Sequence, residues 1–276
     1  MEQSLVRVRW LSWLLESAKL RYLIKPARVV ENESISSSMY LLRIELINHS
    51  VEIEPFNFFN IWIPRVDEIP LSIAYVSNKS LFFIYRIRGV GTKALSQLKP
   101  GEFVGIKGPL GKGFKPSNNR RWLVVAGGVG IAPVPFLLSF AAKTNTKIDV
   151  IWGVKKSDEF FDLSDIFGLE KGGWRLIKVS EDCQEGLCGT ALSVLNSVSI
   201  NDYDVVLAIG SQQMLLSFCR MFEDRDNVYV SLENMVKCGI GVCGSCYVKG
   251  SHKLLCVDGP VFKCSEVVEH LESAVS

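Results

Sequence analysis

The residues with the clearest chemical potential are cysteines that crowd near the C-terminal end of the chain. Cys238, Cys243 and Cys246 lie in the run CGIGVCGSC, and Cys256 follows after nine residues. A C-x4-C-x2-C spacing with a more distant fourth cysteine is typical of [2Fe–2S] clusters. The glycines between the cysteines permit the backbone angles that a loop around a cluster needs. The spacing therefore predicts that these four cysteines bind a [2Fe–2S] cluster and that the chain carries electrons.

Other uses of these cysteines are weighed against the cluster. Structural zinc also uses four cysteines, but usually as two C-x2–4-C pairs separated by a longer loop. A disulfide framework suits a small secreted chain, whereas five cysteines clustered between Cys238 and Cys264 of a long chain favour a metal site. Cys264 could replace Cys256 as the fourth ligand, and we expect it to be a bystander.

Two glycine turns in the second half of the chain follow predicted strands. The segment AGGVGIAP places Gly127, Gly128 and Gly130 between an apolar strand and a helix, and Gly210 ends a later apolar strand. Such turns present backbone N–H groups to a phosphate at the carboxyl ends of parallel strands. They predict a nucleotide crevice, although a strand–helix connection without a ligand has the same composition.

A third glycine turn lies in the first half of the chain. Gly89, Gly91 and Thr92 belong to the segment RGVGT, which leads into a predicted helix at 93–98. Upstream, the segment Pro70–Ser72 begins a predicted strand. A turn whose amides and hydroxyl face a pyrophosphate would have this sequence, and so would an ordinary hairpin loop.

The elements that must position these residues fall into two patterns. Residues 27–113 contain short β-branched and aromatic runs separated by turns, with no long helical window, which predicts a small antiparallel barrel. Residues 121–230 alternate apolar strands with helices, which predicts a parallel, doubly wound sheet. The barrel strands are expected at 40–47, 57–63, 71–76, 81–87 and 103–107, and the sheet strands at 122–126, 148–152, 175–179, 205–209 and 228–230.

Composition sets the remaining limits. The chain has 276 residues, 48% hydrophobic and 22% charged, as expected of a folded protein with two or three domains. A net charge of +2 without a basic run gives no reason to expect nucleic acid. The short apolar stretch at 10–15 cannot span a bilayer and no signal cleavage site follows it, so we expect a cytoplasmic location. Residues 1–22 predict an amphipathic helix that packs on the chain itself, docks a partner subunit or lies on a membrane surface.

Together these motifs resemble the ferredoxin–NADP reductase superfamily and, more narrowly, the electron transfer subunits of NAD-linked dihydroorotate dehydrogenases. The resemblance runs from about Tyr22 onward. Its most specific parts are VSLE at 230–233, which leads into the cysteine run, and VDGPVF at 257–262, which follows Cys256. The short gap before the last cysteine and the DGPVF tail are features of this subunit rather than of plant-type ferredoxins.

The resemblance implies an FAD that spacing alone could not show. The family binds FAD through an R-P-x-S strand, a G-x-G-T turn and a strand that lies against the flavin, and the segment GPLGKGF at 108–114 matches the one that closes the family's barrel. The residues then expected to bind FAD are Pro70, Leu71, Ser72, Tyr85, Arg86, Gly89, Gly91 and Thr92. Those expected to bind NAD are Gly127, Gly128, Gly130 and Gly210.

Three positions depart from the family pattern. Ile69 replaces the arginine before the proline, and Arg86 or Arg88 is expected to compensate. The segment Ile209–Ser211 replaces a common C-G-P that seats the nicotinamide. Lys155–Lys156 follow the second strand of the sheet with no acidic residue beside them, so NAD rather than NADP is expected from the resemblance alone.

The resemblance also implies a function. A partner subunit would oxidise dihydroorotate on its own FMN, in pyrimidine biosynthesis, and electrons would pass through [2Fe–2S] and FAD to NAD. The complex would be a heterotetramer of two plus two, and no side chain of this chain would be catalytic. The alternatives are a small subunit of a hydrogenase or ferredoxin:NADP oxidoreductase and, from another class, a zinc-stabilised binding protein. The expected domains are an N-terminal extension (1–22), an FAD-binding barrel (23–118), an NAD-binding α/β domain (119–230) and a [2Fe–2S] domain (231–276).

Overall fold

The structure is a computed structural model that describes residues 23–47, 52–118, 120–170 and 172–275. The helix predicted within residues 1–22 lies outside the described residues. The described part contains a closed barrel of six strands, a sheet of seven strands and a two-stranded sheet. The predicted fold class, an antiparallel barrel followed by a parallel α/β sheet and a small C-terminal unit, is confirmed.

The barrel strands all pair antiparallel, in the order β1-β2-β5-β4-β3-β6. Alternate side chains such as Ile61, Ile73 and Phe83 point inward and are fully buried there, as the two-residue period of a strand requires. The six strands are β1 (Lys25–Ser34), β2 (Tyr40–Leu46), β3 (Phe58–Ile63), β4 (Asp67–Ser77), β5 (Ser80–Tyr85) and β6 (Phe103–Leu110).

A short helix, α1 (Val90–Leu95), connects β5 to β6. Its buried Leu95 joins the barrel core. The last carbonyls of a helix have no partner within it, and here the side-chain amide of Asn32 donates to the carbonyl of Leu95 at 2.7 Å and to that of Leu98 at 3.0 Å. This contact fixes the C-terminal end of α1 to strand β1.

The second unit is a seven-stranded sheet in the order β10-β9-β8-β7-β11-β12-β15. Every neighbouring pair is parallel except β12 and β15. Because parallel strands all end at the same edge, the glycine turns after β7 and β11 lie side by side. The first six strands in the chain are β7 (Arg121–Gly127), β8 (Lys147–Val154), β9 (Trp174–Ser180), β10 (Leu187–Cys188), β11 (Val205–Ile209) and β12 (Val228–Ser231).

Helices cover both faces of this sheet. Val124 of β7 packs with α2 (Val134–Lys143) and α3 (Leu163–Phe167), whereas the adjacent Leu123 packs with α4 (Gln212–Met221) on the other face. Covering both faces is what makes the strands almost continuously apolar. Short 3-10 turns lie at Gly128–Ile131, Ser157–Glu159, Ser193–Ser197 and Ile200–Asp202.

The C-terminal residues form a small unit that shares the sheet. Its strand β15 pairs antiparallel with β12, and its last helix packs against α4. Its elements are β13 (Tyr247–Val248), β14 (Lys253–Leu254), α5 (Leu255–Asp258), β15 (Val261–Lys263) and α6 (Cys264–Val275). The domain boundaries given above stay a prediction. In the described part of the chain, no helix has the length and apolar character needed to cross a membrane.

Candidate cofactor site

A cavity of about 630 Å³ lies where the barrel, the sheet and the C-terminal unit meet. Strands β4 and β5 and helix α1 form one wall, and the turns after β7 and β11 form the wall opposite. Val236, two residues before Cys238, and Leu255, directly before Cys256, also line it. Eight of the predicted cofactor-binding residues border this cavity: Pro70, Leu71, Ser72, Tyr85, Arg86, Thr92, Gly130 and Gly210.

Thr92, in the first turn of α1, fixes the glycine turn that precedes the helix. The backbone N–H groups of Arg88 and Gly89 donate to the Thr92 hydroxyl oxygen at 2.8 and 3.1 Å. Gly91 lies against β4, where a Cβ would come within 2.8 Å of both Ile69 and Asp67. The turn can therefore approach β4 only because residue 91 lacks a side chain.

Tyr85 borders the cavity but its side chain lies in the barrel core, only 1% exposed. Its hydroxyl donates to the Asn32 side-chain oxygen at 2.8 Å, and its ring stacks on Tyr40. Burial raises the pKa of Tyr85 well above its ordinary value, so the hydroxyl stays a donor. Whether Tyr85 also lies against a flavin, as the sequence predicts, stays a prediction.

Arg86 connects the two units. Its guanidinium forms an ion pair with the buried Glu159, which follows β8, and donates to the Ser38 hydroxyl at 3.0 Å. Ser38 in turn donates to Glu159 at 2.9 Å. The Nε atom of Arg86 is buried and has no hydrogen-bond partner among the described residues. Arg88, the other basic residue expected to replace the family arginine, is 74% exposed and lies 3.6 Å from Glu233.

A second cavity of about 450 Å³ opens over the carboxyl ends of the parallel strands. Gly127 and Gly128 line it after β7, Lys155 after β8 and Glu181 after β9. Ligands of open α/β sheets bind at this edge. Arg86 and Ser211 line both cavities, so the two sites adjoin.

The glycine turns after β7 and β11 pack together too closely for side chains. A Cβ on Gly130 would lie 2.4 Å from the carbonyl oxygen of Ile209. On the adjoining residues, a Cβ on either Gly127 or Gly210 would come within 2.7 Å of the Met214 sulfur. The glycines of these two turns are thus required by close backbone packing at the strand ends. Because they lack side chains, they also leave the backbone there open to a ligand.

The four predicted cluster ligands are all free thiols, and backbone N–H contacts join them as two pairs, Cys238 with Cys243 and Cys246 with Cys256. The backbone N–H groups of Ile240 and Cys243 point at the Cys238 sulfur at 3.5 and 3.4 Å, and that of Cys256 at the Cys246 sulfur at 3.5 Å. Hydrogen bonds from backbone amides to sulfur are a known means of tuning a cluster. Gly239, Gly241 and Gly244 of this loop all have positive φ.

The two pairs differ in exposure, and one thiol of each pair has a shifted pKa. Hydrogen bonds with Ser245 and with Cys238 lower the pKa of the exposed Cys243 thiol to about 6. Burial, together with the neighbouring Cys246, raises the pKa of Cys256 to about 12. Iron binds thiolates, so a positive metal centre would have to offset the cost of ionising Cys256.

The donor set fits a binuclear cluster. Four cysteines in two pairs match the two thiolates that each iron of a [2Fe–2S] cluster takes. Among the described residues, no three His, Cys, Asp or Glu side chains converge as a site for one metal ion. The ligand assignment itself stays a prediction.

The remaining cysteines are paired as disulfides. Cys219 of α4 is bonded to Cys264 of α6, and Cys183 to Cys188 beside β9. The expectation that Cys264 is a bystander therefore agrees with its position, because its sulfur is already bonded. The sequence could not name Cys219 as its partner, since the two lie on different helices.

Comparison with known proteins places the chain in a family. The family model for the iron–sulfur cluster binding domain of dihydroorotate dehydrogenase B matches residues 233–268. A probable dihydroorotate dehydrogenase B (NAD(+)) electron transfer subunit from Archaeoglobus fulgidus is 33% identical over 87% of this chain and 97% of its own length. The chain belongs to the family of dihydroorotate dehydrogenase B electron transfer subunits. The subunit of this name from Geobacillus sp. (strain WCH70) is 32% identical over 87% of this chain and 96% of its own length.

Solved structures agree on the fold of this dihydroorotate dehydrogenase B family member. An NADH-dependent reduced ferredoxin–NADP oxidoreductase has a TM-score of 0.78 and covers 90% of this chain and 93% of its own, at 24% identity. At this identity the likeness shows the fold alone. Because the curated relatives carry the dihydroorotate dehydrogenase name, the hydrogenase and ferredoxin:NADP oxidoreductase alternatives are not favoured.

Proposed function

We propose that this chain is the electron transfer subunit of a dihydroorotate dehydrogenase B and carries electrons from a catalytic partner subunit to NAD⁺ through [2Fe–2S] and FAD. The observation that carries the proposal is the pairing of four free cysteines beside a cavity enclosed by barrel and sheet. A cluster moves single electrons, nicotinamide takes two as hydride, and a flavin exchanges with both.

The chain's own residues hold the cofactors and need perform no acid–base step. Pro70–Ser72 and Thr92 would bind the flavin on the barrel side of the first cavity. Gly127 and Gly128 would bind the nicotinamide nucleotide in the second cavity. Because Arg86 lines both, it would meet both ligands.

Exposed apolar side chains surround the cluster loop and support a partner at this surface. Val242 is 78% exposed, Met235 63%, and Ile240 and Val257 more than 40%. Apolar side chains exposed together mark interaction sites. We infer that the catalytic subunit, with its own FMN, docks here in a heterotetramer of two plus two. The cytoplasmic location stays a prediction from the sequence.

The experiment that tests this function is an anaerobic preparation of the chain with its copurifying partner. Iron, sulfide and flavin are assayed, and the visible spectrum is followed. Dihydroorotate should bleach the flavin and iron–sulfur absorption, and NAD⁺ should then restore it. A colourless preparation would establish a zinc-stabilised protein instead. Bleaching without recovery on NAD⁺ would mean that the acceptor is another molecule.

A further inference from the structure

A buried polar cluster lies where the cluster loop covers the outside of the barrel. Asn60 of β3 and Lys107 of β6 are register partners, and both side chains point out of the barrel. They are nevertheless only 0% and 8% exposed, because the segment before Cys238 lies over them. Outward-facing residues of a small barrel are ordinarily wet, so this burial sets the pair apart.

Both side chains donate to the peptide that leads into the first predicted ligand. The Asn60 amide nitrogen lies 3.2 Å from the carbonyl oxygen of Val236 and 3.4 Å from that of Lys237. The Lys107 ammonium lies 3.5 Å from the same Lys237 carbonyl. Cys238 is the next residue in the chain.

Glu68 completes the group and balances its charge. Its Oε1 atom lies 2.5 Å from the Lys107 ammonium and 2.9 Å from the Asn60 amide nitrogen. The Lys107 and Glu68 side chains are 10% and 27% exposed. A buried ion pair gains little net stability, and Asn60 also has a buried side-chain oxygen with no partner among the described residues. Stability therefore does not explain why these three residues meet here.

The barrel also holds the far end of the same loop, but through backbone atoms. The Gly111 N–H, directly after β6, donates to the Cys256 carbonyl at 2.9 Å. The barrel thus grips the chain beside the first and the last of the predicted ligands. Only the contact beside Cys238 is made by side chains, and only it involves charged groups.

We propose that Asn60, Lys107 and Glu68 are positioning residues that fix the cluster loop on the flavin barrel and set the reduction potential of the cluster through their charge balance. The inference rests on the proposed function. Groups that surround the ligands tune a metal site, and net charge and hydrogen bonding set cluster potentials. Removing Lys107 leaves a carboxylate near the cluster, and removing the charge of Glu68 leaves an ammonium.

The test compares single and double variants of the copurified complex. Reductive titration, followed by electron paramagnetic resonance of the reduced cluster, gives its midpoint potential. Lys107→Met should lower the potential, since added negative charge opposes reduction, and Glu68→Gln should raise it. The double variant should return close to wild type. Lys107→Arg keeps the charge and should keep the potential. Arg28→Met and Glu45→Gln remove an exposed barrel ion pair away from the loop and should change nothing.

The outcomes separate the proposal from the proposed function. Shifts in the same direction for Lys107→Met and Glu68→Gln, or no shift in a fully loaded cluster, would overturn it. A shift in Lys107→Arg as large as that in Lys107→Met would also overturn the proposal. If Lys107→Met fails to fold, a large shift of the potential in Lys107→Arg still overturns it. A wild-type chain with no iron or flavin would instead overturn the proposed function itself.

A separate measurement, which needs no cofactor, tests whether these residues hold the cluster loop in place. Trypsin can cut after Lys237, whose carbonyl is held by Asn60 and Lys107. Asn60→Leu should speed cleavage between Lys237 and Cys238 several-fold, as measured by mass spectrometry of the full chain. Trp62→Leu, on the same outer face of β3 but 41% exposed, is the matched control. Equal cleavage in wild type, Asn60→Leu and a second variant, Asn60→Ser, would remove Asn60 from the proposal.

Discussion

The surroundings of each cysteine determine which chemistry is open to it. Cys246 and Cys256 are almost fully buried and have no disulfide partner, so only a metal or a thiol proton can occupy their sulfurs. Cys264 is as buried but is covalently bonded to Cys219. Burial alone therefore does not separate the predicted ligands from Cys264, whereas the disulfide to Cys219 does.

Substitution of these cysteines gives the first prediction. Cys256→Ser should lose most of the iron and sulfide, because a hydroxyl is a poor replacement for a thiolate on iron. Cys264→Ser should keep both, since its sulfur is bonded to Cys219 and is not a predicted ligand. Iron and sulfide assays on anaerobically purified protein measure the difference. Full cluster content in Cys256→Ser, or its loss in Cys264→Ser with the fold intact, would reverse the assignment.

His270 of α6 gives a second prediction, on pH. Its Nδ1 accepts the Lys249 N–H at 3.3 Å, its Nε2 is buried without a partner among the described residues, and burial lowers its pKa below 6.5. As pH falls through about 6.5, the unfolded chain binds the proton before the folded chain does, so stability falls. The urea midpoint should drop between about pH 7.5 and about pH 5.5, and less so in His270→Gln. Equal drops in both proteins would contradict this role.

At the scale of elements, the turn and helix α1 must approach β4 closely to form the flavin side of the cavity. Gly91 permits the approach, while Gly89, two residues earlier, has open space around it. Both belong to the same sequence motif, and neither has a positive φ. Gly89 precedes the helix and Gly91 lies in its first turn, so an added Cβ meets no backbone strain at either position and only the one at residue 91 meets β4.

Gly91→Ala should weaken FAD binding, and Gly89→Ala should not. A Cβ at residue 91 would press on Ile69 and Asp67 and move the turn off β4. Overpacking of this kind costs about 1–3 kcal/mol, which corresponds to a loss of affinity of roughly 5- to 150-fold. Titration of FAD into flavin-depleted protein, followed by fluorescence, gives both dissociation constants. Equal weakening in the two variants would show that packing against β4 is not the cause.

The sequence was sufficient to predict most strands and the kind of cofactor site. It was insufficient where a strand or contact forms only by pairing with a distant part of the chain. Strands β2 to β9, β11 and β12 were predicted because their apolar runs are dense. Strand β1 (Lys25–Ser34) was not, since its buried positions stop at Val29 before a bulge and charged residues follow. Strand β15 has only three residues and exists because β12 offers an edge. The contact of Asn60 with Val236 joins residues that are distant in the chain, so no local pattern could reveal it.

At the scale of the whole molecule, barrel and sheet are joined across the cofactor cavities by one buried network. Arg86 comes from just after β5, Ser38 precedes β2, and Glu159 follows β8. The Glu159 side chain is 9% exposed and that of Arg86 is 34% exposed. Since Arg86 lines both cavities, the orientation of the two units and the shape of both sites depend on the same ion pair.

Glu159→Ala should therefore weaken the contact between barrel and sheet as well as ligand binding. Removing one partner of a buried pair costs about 3–5 kcal/mol, but water reaches part of Arg86, so we expect a loss of about 1–3 kcal/mol in the free energy of unfolding. NAD⁺ binding, measured by calorimetry, should weaken with it. Glu185→Ala breaks an exposed pair with Lys178 and serves as control, with a cost under about 1 kcal/mol. If Glu159→Ala lost no more stability than Glu185→Ala, the Arg86–Glu159 pair would not hold barrel and sheet together, and their other contacts, such as the hydrogen bonds of Ser37 with Asp158, would do so.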